Sequence, residues 1–255
     1  MHYKSMVTIM IATFNSEKLL PRTLDAIKKQ TYPAELIEIL IIDGGSGDRT
    51  RKIAEEYGCL IIDNPKTEPI NAKLIGMKAA KGKYLVTIDH DEVMQNDHSI
   101  ENKVIMLERH PECKVALCSG YLRPDDYPWL NQYISEFGDP FSLFIYRFSK
   151  GFGIFEKNLR RYYHVEADET EGFVVSFESI KKQPIFELCC MGTIIDKEYF
   201  MSFDGVCNDS SIFVHLFYIM LQDGKNKVAF TVKDPLTHYS ADSLKKYFPK
   251  IKWRI

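Results

Sequence analysis

Four short apolar runs in the first 90 residues each end in a polar residue, and helix-like segments separate them. This alternation constrains the fold more than any other feature of the chain. Met6-Val7-Thr8-Ile9-Met10-Ile11 reads as a buried strand, residues 37–42 as a second, 59–62 as a third and 84–88 as a fourth. Between them, residues 17–30 carry Leu20, Leu24 and Ile27 at helical spacing, residues 49–57 suit a short helix capped by Ser46 or Asp48, and residues 70–81 form a helix ending near Gly82. A further helix is expected over 99–109 and a fifth strand over 115–118. Strands that alternate with helices imply a Rossmann-like, mostly parallel sheet with helices on both faces, in the α/β class.

Such a sheet binds ligands beyond the carboxyl ends of its strands. The residues just after the strands are Thr13 and Asn15, Asp43 with Ser46, Asp63 with Asn64, and Asp89 with Asp91. All should line one edge. A turn-forming role explains any one of them alone, because Asn, Asp and Gly favour turns. The last pair lies in Asp89-His90-Asp91. If the strand conformation persists, residues i and i+2 face the same side, so both carboxylates can converge on one cation and His90 points away. Mg²⁺ is commonly held by one or two protein carboxylates, with phosphate oxygens and water completing the octahedron. The pair therefore points to a phosphate-bearing substrate as well as a metal. Glu92 is a competing carboxylate beside it.

Composition narrows the class. The chain has 255 residues, 45% of them hydrophobic, so a packed core is expected. A net charge of −2 gives no general case for nucleic acid. The six cysteines form no Cys-x-x-Cys pair, which favours reduced thiols in a cytosolic compartment. Met1 to Ser5 leave no room for a signal peptide, and no apolar run reaches the length of a membrane span. Three regions are expected: a strand–helix half over 1–120, a less regular half of the same domain over 121–240, and a basic-aromatic tail over 241–255. The tail interleaves Lys245, Lys246, Lys250, Lys252 and Arg254 with Tyr247, Phe248 and Trp253, which suits an anionic membrane surface. Pro249 argues against an uninterrupted helix there. Residues 121–190, with Gly138-Asp139-Pro140 and an acidic patch at Glu166, Asp168, Glu169 and Glu171, show no clear pattern.

Taken in order, the motifs resemble glycosyltransferase family 2, the inverting nucleotide-sugar enzymes of GT-A-type fold. Val7 to Glu17 is similar to the family's first strand and its Asn turn. Ile41-Ile42-Asp43-Gly44-Gly45-Ser46-Gly47-Asp48 resembles the Asp-Asp-Gly-Ser-x-Asp loop, and Ala72-Lys73-Leu74-Ile75-Gly76 stands where Ala-Arg-Asn-x-Gly is common. Ala80 to Tyr84 followed by Asp89-His90-Asp91 resembles the approach to the metal motif. Met191-Gly192-Thr193, Phe203-Asp204-Gly205 and Asn208-Asp209 resemble the acceptor-side segment. Gly44, Lys73, Leu74 and Asn208 depart from the usual Asp, Arg, Asn and Glu, and His215 stands where Arg is frequent. These departures bear on donor identity rather than reaction class, since Lys73 keeps a charge but lacks a planar fork.

The resemblance implies that the half over 1–120 binds a nucleotide sugar and that the half over 121–240 faces the acceptor. It also implies a role for each position. Asp43 would accept a hydrogen bond from the nucleotide base, Thr13, Asn15 and Glu17 would frame base and ribose, and Lys73 would approach the nucleotide. Asp91 would be the first metal ligand, with Asp89 on the ribose or the metal through water and His238 near metal or diphosphate. Asp209 would be the general base, with Asp204 or the Asp168–Glu169 patch as substitutes; its competing role is to cap the helix that follows. The implied activity is metal-dependent (Mg²⁺ or Mn²⁺), inverting transfer from a nucleoside-diphosphate sugar, a uridine diphosphate sugar first, to a hydroxyl on a surface or lipid-linked glycan. The implied location is cytoplasmic and peripheral at the inner face of the cell membrane. A sugar nucleotidyltransferase would instead need a glycine-rich basic loop after the first strand, which Ala12 to Glu17 does not supply. A catalytically silent nucleotide-sugar or glycan-binding protein would keep the donor edge and lack a working base.

Overall fold

The computed structural model describes residues 5–137, 149–177, 186 and 188–254, with side chains as far as residue 249. In chain order the strands are β1 Val7–Thr13, β2 Ile37–Asp43, β3 Leu60–Asp63, β4 Tyr84–Asp89, β5 Glu92–Met94, β6 Val115–Leu117, β7 Tyr121–Leu122, β8 His164–Asp168, β9 Gly172–Ser176, β10 Thr193–Asp196, β11 Lys227–Thr231 and β12 Leu236–His238. The first five helices are α1 Leu20–Lys28, α2 Thr50–Glu56, α3 Pro69–Ala79, α4 Ser99–Arg109 and α5 Trp129–Phe137.

Nine strands form one sheet in the order β3-β2-β1-β4-β10-β6-β11-β9-β8. The first four are parallel; the continuous apolar runs of β1, β2 and β4 are buried on both faces, and β3 is the partly exposed edge strand. The sheet is mixed beyond them. β10 runs antiparallel between β4 and β6, and β9 is antiparallel to both β11 and β8. The sheet is thus continuous from the amino-terminal half through the carboxyl-terminal half. Its core runs from Ile9, Ile11 and Ile41 through Leu85, Val86 and Ile194 to Phe173 and Phe230, all buried.

Two glycines set how closely neighbours approach. A Cβ at Gly76 would lie 2.0 Å from Met10 Sδ, so any other residue would force the buried Met10 side chain aside where α3 packs on β1. A Cβ at Gly82 would meet the backbone of Thr8 at 2.6 Å, where the chain enters β4. Asp48, not Ser46, serves the first turn of α2, accepting from Thr50 N at 2.9 Å.

A second sheet of three short strands, β5-β12-β7, is absent from the sequence expectation. β12 pairs antiparallel with β5, placing His238 opposite Glu92, and parallel with β7. The Tyr239 N–H donates to Asp91 O at 2.8 Å and continues the pairing past the Asp89-His90-Asp91 turn. This small sheet brings a residue from near the carboxyl terminus to the end of β4.

The last helix, Leu244–Arg254, passes through Pro249, contrary to the expected interruption. Proline there forfeits one bond to the carbonyl of Lys245, which lies at an exposed helix start where water can take it. Tyr247 of this helix clusters with Ile134 of α5 and with Ala241 from the segment just before the helix. The side chains of Lys250, Lys252, Trp253 and Arg254 lie outside the described residues, as do residues 1–4 and Gly138-Asp139-Pro140. The six cysteines are free thiols, four of them buried. Among the described residues, no helix is long and apolar enough to cross a membrane.

Candidate active site

The carboxyl ends of β1, β2 and β4 carry Thr13, Asp43 and Asp89, and the loops beyond them interlock. Asp43 is fully buried. Its Oδ1 accepts from Thr13 Oγ1 at 3.0 Å and Ser46 Oγ at 2.5 Å. Its Oδ2 accepts from the N–H groups of Gly45 and Ser46 and from Arg51 Nη1 at 3.2 Å. Burial alone would push this carboxyl up, but the bonds from Ser46, Thr13 and Arg51 outweigh it and hold the group below the ordinary carboxylate value. Asp43 therefore organises its own loop, and Arg51 bridges it to Asp63 at 2.7 Å.

Asn15 and Glu17 zip that loop to the one after β1. Asn15 sits at φ +49°, a left-handed conformation that asparagine tolerates. Its Oδ1 accepts from Gly47 N at 2.9 Å, while Glu17 Oε2 accepts from Arg49 N at 3.1 Å. Both residues border a pocket of about 470 Å³, together with His90, Tyr127 and Lys246. His90 thus opens toward this pocket, while Asp89 turns to α3.

Lys73 on α3 is buried rather than solvated. Its ammonium bonds Asp89 Oδ1 at 3.1 Å and the carbonyl of Cys189. Burial would lower its pKa, but the Asp89 carboxylate and the nearby cysteines raise it above the ordinary lysine value. The charge stays at the sheet edge, beside Asp89.

Asp91 and His238 come together, as the resemblance implies. His238 Nε2 lies 3.9 Å from Asp91 Oδ2, and its ring stacks on Tyr121 with centroids 4.8 Å apart. Asp91 is mostly buried, and Asp89 is partly exposed. Among the described residues no group of three or more His, Cys, Asp or Glu could enclose a metal ion. One or two carboxylates at the open end of a strand fit a hard cation whose other ligands are phosphate and water. Glu92 is not open in this way. It is 1% exposed and accepts from Tyr121 OH, from Asp89 N at 3.0 Å and from Met191 N at 3.2 Å. Burial and then the charge of Asp89 push its carboxyl above the ordinary carboxylate value, while the bonds from Tyr121 and Asp89 oppose that rise. Its role was not legible from the sequence, where it reads as one more acid after a strand.

Asp209 is exposed and caps the 3₁₀ helix Ser210–His215, accepting from Ser211 N at 2.8 Å. The Ser211 bonds hold its carboxyl below the ordinary value. This helix packs on α3, so Asp209 lies on the same side of the sheet as Lys73 and is within electrostatic reach of Lys66. Asp204 opens the preceding helix Asp204–Asn208 and is exposed. The Asp168–Glu169 patch is elsewhere. Asp168 pairs with Arg160, Glu169 pairs with Arg109 and His110, and both sit at the β8 edge. That edge is five strands from β4, about 24 Å at the usual strand spacing, so the patch cannot stand in for the base.

Comparison with known proteins agrees with this geometry. The profile of glycosyl transferase family 2 matches residues 8–183, more than half of the chain. An uncharacterized glycosyltransferase of Rickettsia prowazekii is 31% identical over 121 residues, covering 47% of this chain and 37% of that protein. The O-antigen chain rhamnosyltransferase RfbN of Salmonella typhimurium is 32% identical over 103 residues, 38% of this chain and 32% of the other. The chain spans about a third of the length of these relatives. Among solved structures, TarS of Staphylococcus aureus in complex with UDP-GlcNAc superposes with a TM-score of 0.61 at 15% identity, over 92% of this chain and 59% of TarS. Glucosyl-3-phosphoglycerate synthase of Mycobacterium tuberculosis, in complex with Mn²⁺, UDP and glucosyl-3-phosphoglycerate, gives 0.55 at 15% identity, over 96% and 75% of the two chains. At such identity these structures show the fold, a GT-A glycosyltransferase fold. With the profile match and the ordered strand-end residues, the chain belongs to glycosyl transferase family 2.

Proposed function

We propose that this protein transfers a sugar, with inversion, from a nucleoside-diphosphate sugar to a hydroxyl acceptor, with a divalent cation at Asp91 and Asp89. The observation that carries this reading is the meeting of Asp91 and His238 at the end of β4, beside the Lys73–Asp89 pair. Two carboxylates, an imidazole and an ammonium gathered at a strand end suit a metal-bound diphosphate. UDP-GlcNAc in the TarS complex and Mn²⁺ with UDP in the synthase complex support the same donor class.

In this scheme Asp43 and Arg51 shape the base edge, and Lys73 keeps a positive charge near the nucleotide. Asp209 takes the acceptor hydroxyl proton as the oxygen bonds to the anomeric carbon, and the bond from that carbon to the diphosphate breaks. The nucleoside diphosphate leaves with the electron pair. Asp209 is ionised at neutral pH, as a base must be, and the Ser211 bonds hold its carboxyl further below the ordinary carboxylate value. A bound cation would supply compensation for the charge gathering on the departing diphosphate.

Asp209→Asn should lower transfer by about 10²–10⁴-fold while leaving nucleotide binding nearly unchanged. Nucleoside diphosphate released from a panel of sugar donors, with hydroxyl acceptors present, reads the effect. Unchanged turnover would remove Asp209 from the mechanism. Nucleotide binding without any turnover in the parent chain would favour the silent binding protein.

The acceptor is proposed to be a surface or lipid-linked glycan, reached from the cytoplasmic face of a membrane. Trp129 and Tyr133 on α5, with Leu244 and Phe248 on the last helix, are exposed, and Lys245 and Lys246 are exposed beside them. Aromatic and basic groups together suit an anionic bilayer surface. Vesicles containing phosphatidylglycerol should carry the protein on flotation, and added salt should release it. Equal flotation with neutral phosphatidylcholine vesicles would count against this placement.

A further inference from the structure

Three side chains from the donor half tie down the loop over residues 188–193, on the acceptor side. Thr87 Oγ1 on β4 donates to Leu188 O at 3.1 Å and to Thr193 O at 3.4 Å. The Lys73 ammonium donates to Cys189 O. The Glu92 carboxylate accepts the Met191 N–H on both oxygens at 3.2 Å. These ties hold a costly conformation. Met191 and Gly192 are consecutive left-handed residues, at φ +63° and +54°, and methionine adopts such a backbone only where its surroundings impose it.

Lys73 joins the Asp89 side chain to Cys189, whereas Glu92 grips the backbone of both loops and reaches a third segment as well. Its Oε2 accepts the Asp89 N–H at 3.0 Å, and its Oε1 accepts the hydroxyl of Tyr121, whose ring stacks on His238. One buried carboxylate thus joins three segments distant in sequence: the turn bearing Asp89 and Asp91, the loop at Met191, and β7. A shift of the Asp89 backbone moves an acceptor that Met191 shares. Coupling of this kind needs no longer path than a single side chain.

We propose that Glu92 is a positioning residue that couples the donor loop to the acceptor-side loop, so that occupancy at Asp89 and Asp91 tightens the backbone at Met191. This rests on the glycosyl-transfer reading for the identity of the occupant, and on the structure alone for the junction. By linkage, whatever Met191 gains on nucleotide binding is returned as tighter nucleotide binding when an acceptor orders the loop.

Amide hydrogen exchange of the whole chain, read residue by residue with and without UDP and Mn²⁺, tests both parts. In Glu92→Gln one oxygen acceptor becomes a donor, so the Asp89 and Met191 amides should both exchange about tenfold faster, with β1 amides unchanged. In the parent chain UDP with Mn²⁺ should slow exchange at Met191, and in Glu92→Gln that slowing should be lost although the nucleotide still binds. Tyr121→Phe, which keeps the carboxylate, should give the same paired change at smaller size if Glu92→Gln fails to fold. The proposal is overturned if only one of the two amides responds. It is also overturned if UDP binds the parent without slowing Met191, or slows it equally in Glu92→Gln. If UDP does not bind the parent chain, the donor assignment fails, and the paired response of the free protein still decides the junction.

Discussion

Asp234→Ala should destabilise the protein by about 3–5 kcal/mol, because it strands a buried lysine. Lys103 on α4 and Asp234, between β11 and β12, are 1% and 0% exposed at their side chains, with Nζ 2.6 Å from Oδ2. Ser99 Oγ accepts from the ammonium at 2.5 Å, and Thr231 Oγ1 donates to the same carboxylate oxygen at 2.6 Å. The Asp234 N–H donates to Ser119 Oγ at 2.7 Å. Asp234 Oδ1 is buried without a hydrogen-bond partner among the described residues, so the network is already short of one donor. Removing the carboxylate leaves the ammonium only one neutral oxygen acceptor in the dry interior. A change of that size is a large share of the 5–15 kcal/mol by which domains are ordinarily stable. Replacing both members together, as Lys103→Met with Asp234→Leu, should cost less than either single change, because an apolar pair carries no desolvation penalty. Urea denaturation of Asp234→Ala, the double variant and its two single changes measures this. A loss below about 1 kcal/mol for Asp234→Ala would mean that solvent reaches the pair. The pair also bears on the site, because it clamps the segment that delivers His238 four residues later.

Asp91→Asn should reduce sugar transfer by about 10²–10³-fold, the usual scale for losing one charge-stabilising group at a reacting centre. The change is nearly isosteric. Asp91 O would still accept from Tyr239 N, so the small sheet should persist. What disappears is one negative charge beside His238. Asp89→Asn should have a different effect, because Asp89 neutralises the buried Lys73 ammonium. That substitution should lower stability as well as turnover, whereas Asp91→Asn should chiefly lower turnover. Thermal unfolding of the two variants, set beside their transfer rates, separates the roles. Equal stability losses in both would show that Asp91 also serves mainly to hold the fold.

The sequence carried the first half of the fold because each of its first four strands is a continuous apolar run bounded by turn residues. Their observed ends lie within two residues of expectation, and the helix Ser99–Arg109 coincides with it. The strand-end rule places Thr13, Asp43 and Asp89 on one edge from the sequence alone. What local pattern could not show is long-range pairing. β10 inserts antiparallel beside β4 by pairing Thr193 with Thr87, and nothing near either residue signals it. The β5-β12-β7 sheet is built of strands of two or three residues, too short for alternation to register. Lys73 and Lys103 each sit in helices where lysine ordinarily reads as solvated. Their burial follows from partners 16 and 131 residues away in sequence. Glu92 reads in the sequence only as a competing carboxylate, and its bridging role is hidden for the same reason, since two of its three partners come from β7 and the 188–193 loop.

The most direct test of the account is calorimetric titration of the protein with UDP and with GDP, each with and without Mn²⁺, in the parent chain and in Asp91→Asn. One nucleoside diphosphate should bind the parent chain, and Mn²⁺ should tighten it at least about tenfold, an increment that Asp91→Asn removes. Failure of either nucleotide to bind, or binding that Mn²⁺ leaves unchanged in the parent chain, would contradict a metal-assisted nucleotide-sugar site at the end of β4.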